Sequence, residues 1–140
     1  MSESFAFIFL GGKKKIDVTS LTLVNNTDKN VKVTVPAGKR WLLINIKITN
    51  PDNVIRIGQI AHYKETALTN AVKSLLYKSM AANEVLNFPS YSTDTGVTTQ
   101  NQLLILDEGE TLSFNWYAGG ASAGGTDADG IVVEYLEIDL

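Results

Sequence analysis

The sequence predicts an all-β fold: a single-domain antiparallel β-sandwich of jelly-roll type, with residues 1–12 as an N-terminal arm or first strand and residues 13–140 as the sandwich. Three observations predict it. Apolar and polar residues alternate with period two in segment after segment, which puts one set of side chains on each face of a strand. Clusters of Gly, Pro, Asn and Asp separate those segments at intervals of about eight to twelve residues. Neither an internal repeat nor a composition break marks a second domain.

The clearest segment is VKVTVPAGKRWLLINIKIT, Val31 to Thr49. Val31, Val33 and Val35 alternate with Lys32 and Thr34. Pro36-Ala37-Gly38 then makes a corner, because proline ends a strand ladder and glycine accepts a left-handed backbone. Leu42, Ile44, Ile46 and Ile48 are expected on one face of the next strand.

Taken in order, Ser4 to Leu10 (SFAFIFL) is short, apolar and β-prone. It reads either as a first strand or as an arm that docks on a neighbouring subunit, since Phe5, Phe7, Ile8 and Phe9 would be costly to leave in water. The triplet Lys13-Lys14-Lys15 is expected to be a solvated turn. Ile16 to Val24 reads as a strand, with a phase break between Ile16/Val18 and Leu21/Leu23. Asn25 to Asn30 and Asn50 to Asn53 are turns. Val54 to Tyr63 is a strand in which Gly58 predicts a bulge or a close backbone contact.

Leu68, Val72, Leu75, Leu76 and Met80 fall at helical spacing. The flanking strands and the absence of a start cap favour a loop from Glu65 to Ala71 and a strand from Val72 to Ser79 instead. Ala81-Ala82-Asn83 turns into a strand Glu84 to Phe88, which Pro89 stops. Ser90 to Asn101 is a polar loop of a length that suits interaction. Gln102 to Leu106 is a strand, and Asp107 to Glu110 is a tight, wet turn. In Thr111 to Tyr117, Leu112, Phe114 and Trp116 share one face. Gly119 to Gly130 reads as a flexible glycine-rich loop. Ile131 to Ile138 is apolar on both faces and is expected to be central.

Composition narrows the function classes. A chain of 140 residues buries roughly two-thirds of its unfolded surface, enough for a core without staples. It has no cysteine, which excludes a disulfide framework, a thiolate metal site and a thiol nucleophile. A net charge of −3 argues against nucleic acid as a partner. Charged residues make up 19% of the chain, below the usual quarter or so, as expected of a protein that packs against others. The longest apolar run, Phe5 to Leu10, is about a third of a membrane span, so no membrane partner is expected. Its lysines follow the run instead of preceding it, unlike a signal peptide. The chain is expected to stay in the cytoplasm of the cell that makes it.

No catalytic residue, cofactor or metal is assigned. His62 is the single histidine and has no triad partners at a recognisable spacing. Asp127-Ala128-Asp129-Gly130 resembles half of a calcium loop, but the further oxygen ligands are missing. Gly119-Gly120 and Gly124-Gly125 lack the following helix of a phosphate loop. Asp107, Glu108 and Glu110 share one turn and do not face each other across a cleft. Trp41, Tyr63, Tyr77, Tyr91 and Tyr117 could form a sugar platform, although aromatics in sandwiches more often serve the core or an interface.

Three stretches carry a family resemblance: VTVPAGKRWLLINIKITN (Val33 to Asn50), SMAANEVLNFPS (Ser79 to Ser90) and LDEGETLSFNW (Leu106 to Trp116). Together with a Gly-rich loop before the closing YLEI, they resemble small jelly-roll decoration or cement proteins of tailed bacteriophages. The resemblance covers most of Val31 to Leu140, and its motifs are structural turns. It implies a non-enzymatic virion protein on the outer capsid surface, bound to the major capsid protein and to itself as a homotrimer. Contacts are then expected through Phe5, Phe7, Ile8, Phe9, Tyr91 and Tyr117. The rival reading is a carbohydrate- or receptor-binding module of a phage tail or fibre, which predicts an exposed tyrosine with polar neighbours, such as Tyr91 or Tyr117. A cupin-type enzyme is disfavoured by the single histidine.

Overall fold

The structure, a computed structural model, describes residues 11–88, 104–118 and 124–140. The expected arm (with Phe5, Phe7, Ile8 and Phe9), Pro89, the Ser90 to Asn101 loop (with Tyr91) and the Gly119-Gly120 pair lie outside those residues.

Within them the chain forms nine strands: β1 (Lys13–Leu23), β2 (Lys29–Thr34), β3 (Lys39–Thr49), β4 (Arg56–Tyr63), β5 (Ala71–Met80), β6 (Val85–Phe88), β7 (Leu104–Leu106), β8 (Thr111–Ala118) and β9 (Gly125–Asp139). Sheet A has the order β1-β9-β3-β6, with the short β7 also paired to β3. Sheet B has the order β2-β8-β4-β5. All pairings are antiparallel, and they nest: β4 with β5, β3 with β6, β2 with β8, β1 with β9. The two sheets close on one core. Sheet A contributes Leu21, Trp41, Leu43, Ile46, Ile48, Ile131 and Val133, and sheet B contributes Ile60, Leu76, Leu112, Phe114 and Trp116. This is the expected β-sandwich.

The ambiguous 65–80 segment resolves as a turn followed by β5, so its helical spacing is fortuitous. Edge pairing with β4 and the irregularity around Leu75 explain the pattern, because a bulge lets Leu75 and Leu76 both reach the core. β9 is central in sheet A, between β1 and β3, as its two apolar faces require.

Several expectations are corrected. Lys13-Lys14-Lys15 is not a turn but the start of β1, paired with Glu137, Leu136 and Tyr135. Ile44 does not share the face of Ile46 and Ile48. The register shifts between Leu43 and Asn45, so Trp41 and Leu43 point into the core while Ile44 is exposed. Gly125 to Gly130 is not a flexible loop, since it is the first six residues of β9. Its glycines serve close approach. A Cβ on Gly125 would sit 2.0 Å from the Pro51 carbonyl oxygen, and one on Gly130 would sit 2.4 Å from Leu21 Cβ. Gly58 lies in no bulge either; the bulge falls at Ile60/Ala61, and Gly58 makes room for the Met80 side chain.

One end of the sandwich is tied by buried polar groups. The Arg56 Nε donates to Asp52 at 2.9 Å, and both side chains are fully buried. Its Nη1 and Nη2 donate to the Thr27 and Val24 carbonyls. The Asn50 amide donates to the carbonyls of Val54, Met80 and Ala81. Three turns that are distant in sequence are thereby joined.

Candidate functional site

The residues weighed for chemistry are used structurally. His62 is buried and its Nε2 lies 3.2 Å from Glu110 Oε1. Glu110 Oε1 also accepts from the Asp107 amide, Glu108 accepts from the Gly38 amide, and Asp107 accepts from Arg40 Nε. The DEGE turn is therefore a clamp on the Pro36–Gly38 corner, and its Glu110 is half-buried instead of wet. Asp127 and Asp129 lie on β9 beside a register shift, where Asp127 accepts from the Asp129 amide. No group of three or more His, Cys, Asp or Glu side chains gathers to hold a metal among the described residues.

The two outer faces of the sandwich differ in kind. On sheet A, cross-strand register aligns Lys14, Leu136, Leu42 and Ile105 in one row. The next rows hold Ile16 beside Glu134, and Val18 beside Val132 and Lys47. Ile16 and Val18 are 56% and 54% exposed on β1, which pairs on one side only among the described residues. That is an apolar stripe along the edge strand of the described sheet, with a few charges set among it.

On sheet B the outward rows are Ser79–Ile57–Tyr117, then Tyr77–Gln59–Asn115–Asn30, then Ser74–Ala61–Ser113–Lys32, then Ala71–Tyr63–Thr111–Thr34. Lys32 is the one Lys, Arg, Asp or Glu in those rows, and its ammonium donates to the Thr66 carbonyl. A hydrogen-bond chain runs across the strands. Tyr117 donates to Gln59 Oε1 at 2.8 Å, Asn115 Nδ2 reaches the same oxygen, and Asn30 Nδ2 donates to Asn115 Oδ1 at 2.7 Å and to Ser113 Oγ. Burial raises the Tyr117 pKa above its ordinary value, with Tyr63, Tyr77 and Asp28 nearby adding to the shift.

The turn after β4 walls one end of this face. Thr66 bonds Thr34 and Lys32 on β2, although β8 lies between β2 and β4. The turn must therefore arch across β8, which accounts for the complete burial of Thr111 on an outward row. Glu65 stiffens the arch by accepting from the amides of Thr69 and Asn70 and from their side chains. Those bonds, led by the Asn70 side chain, pull its pKa from 4.5 to about 2. A depressed folded-state pKa means that the contribution to stability is present above the unfolded value and is lost as pH falls towards 2. Side-chain carboxyl NMR should place the Glu65 midpoint near 2, and Asn70→Ala should move it back towards 4.5.

Of the aromatic set, Trp41 is buried and stacks on Tyr135 at 3.9 Å, so it belongs to the core. Tyr63, Tyr77 and Tyr117 come together on sheet B. These are three of the five aromatics that the sequence offered as a sugar platform, and which three share a face depends on register across three strands. The apolar stripe on sheet A was hidden likewise by the bulge at Ile44. No family model, curated protein or solved structure matches the chain.

Proposed function

We propose that the chain is a non-enzymatic virion structural protein that binds the outer surface of a phage capsid and cements it, using the outer face of sheet A. The observation that carries this reading is the apolar stripe of Ile16, Val18, Val132, Leu136 and Ile105 on that face, beside the β1 edge that pairs on one side only among the described residues. Exposed apolar side chains in rows mark a surface that a protein partner covers. The nested strand pairing supports a jelly roll, and the turn motifs of decoration proteins sit at its corners. The partner is the major capsid protein. The chain also associates with itself as a homotrimer, with the apolar segment Ser4 to Leu10, immediately before β1, as its arm. Each contact is weak, and repetition around the trimer multiplies them.

Co-sedimentation with expanded, DNA-free shells of the parent phage tests this. The wild-type chain should pellet with the shells, and the double variant Ile16→Glu, Val18→Glu should not. Burial of each side chain is worth about 1.5–3 kcal/mol, so the affinity per site should fall at least about a hundredfold. Both residues are more than half exposed, so the variant should keep the wild-type circular dichroism. A wild-type chain that stays in the supernatant overturns the reading.

A further inference from the structure

We infer that the outer face of sheet B is a carbohydrate-binding face for a neutral saccharide, with Tyr77 and Tyr63 as stacking surfaces and Gln59, Asn115 and Asn30 as the hydrogen-bonding floor. This goes beyond capsid binding and does not depend on it, because the two activities use opposite faces of the sandwich.

Four features meet on this face. The first is its charge. Lys32 is the one formal charge in the outward rows and is engaged by Thr66, and the Asp28 carboxylate near Tyr117 is engaged by the Ala118 amide, so the rows themselves hold no unengaged charge. A ligand that matches it is polar and uncharged. The second is the inventory of groups. Amides and phenols offer both donors and acceptors, which suits vicinal hydroxyls that both donate and accept. The Gln59 Nε2 and the Tyr63 and Tyr77 hydroxyls make no hydrogen bond to a described residue, whereas the Gln59 Oε1 is already held by Tyr117 and Asn115.

The third is preorganisation. The Tyr117–Gln59–Asn115–Asn30 chain fixes these side chains before any ligand arrives, which lowers the entropy cost of binding. The fourth is shape and apolar surface. Tyr77 is 49% exposed on the edge strand β5, so a ring is available to the apolar C–H face of a pyranose. Small residues at Ala61, Ser74 and Ser113 lower the row beside it, and the Thr66 arch closes the end. An apolar protein partner would leave the Gln59 Nε2 and the Tyr63 and Tyr77 hydroxyls unsatisfied, and a nucleic acid would meet no basic patch in these rows.

The test is a glycan array carrying neutral and sialylated oligosaccharides, followed by calorimetry with the strongest neutral hit. The wild-type chain should bind at least one neutral glycan, with an affinity unchanged between low and high salt. Tyr77→Ala and Gln59→Ala should each weaken it tenfold or more, while Ile16→Glu, Val18→Glu should leave it unchanged. In NMR the same glycan should shift the ring resonances of Tyr63, Tyr77 and Tyr117 in the wild-type chain, a readout that needs no variant to fold. An array with no neutral hit, binding confined to sialylated glycans, or shifts that miss these rings would each overturn the proposal. So would a change of solution mass in Tyr77→Ala, which would make the face an interface between copies.

Discussion

Arg56→Ala should cost about 3–5 kcal/mol of folding stability, the usual effect of removing one member of a buried ion pair. The guanidinium is fully buried and serves Asp52, Val24 and Thr27 at once. Without it, a carboxylate remains in the interior, the Thr27 carbonyl loses the guanidinium donor, and the Val24 carbonyl keeps only the Thr27 amide. Domains of this size hold about 5–15 kcal/mol in total, so a fifth or more of the margin would go. The melting temperature should fall by about 10 °C, and the urea midpoint should fall with it. The double variant Arg56→Met, Asp52→Leu should be more stable than Arg56→Ala, because it leaves no buried charge. High salt should leave the wild-type margin nearly unchanged, since a pair away from water is little screened. A wild-type urea midpoint in Arg56→Ala would show that this end of the sandwich is held by packing alone.

The loss should also reach the proposed binding faces. Arg56 starts β4, which carries Gln59 and Tyr63, and it holds the turn that follows β1, which carries Ile16 and Val18. Both faces thus hang on one polar junction, and shell and glycan binding should fail together on heating.

Arg56 was not legible in the sequence. An arginine at the start of a strand is ordinarily exposed, and only the folded turns reveal three partners around it. Period-two alternation is a local signal, and where the chain obeys it, as from Leu112 to Trp116, the inner face was read correctly. It fails at bulges. The extra residue at Ile44 moves Trp41 and Leu43 onto the core face, and the alternation of Leu42 with Ile44 carries no mark of that shift. Glycine misled for a related reason. Gly125 and Gly130 sit in a strand because backbone and Leu21 approach closely, and a glycine required by a neighbour looks like one required by a turn. The tyrosine face was legible only as a set of candidate aromatics, with the core residue Trp41 among them. Its members come from β4, β5 and β8, and only the pairing register lays Tyr77, Gln59 and Asn115 side by side.

Trp116→Ala should be as damaging as the loss of Arg56, by a different mechanism. Trp116 lies on sheet B, is fully buried, and donates its indole N–H to the Thr49 carbonyl of β3 in sheet A at 3.2 Å. It is both the largest fully buried side chain among the described residues and a polar bolt between the two layers. Truncation to alanine leaves a cavity and should cost about 3–5 kcal/mol. Trp116→Phe separates the two roles. It keeps much of the buried ring but leaves the Thr49 carbonyl without its donor, at about 1–3 kcal/mol. The site has little capacity to compensate, because Thr49 Oγ1 is already buried without a partner among the described residues. Trp41, stacked on Tyr135 farther along sheet A, remains as a fluorescent reporter in both variants. If the sheets unfold as one unit, Trp41 fluorescence and far-ultraviolet circular dichroism should give the same lowered urea midpoint. Separate midpoints would mean that sheet A survives without its bolt, and the rigidity that a cement protein needs would then have to come from its neighbours.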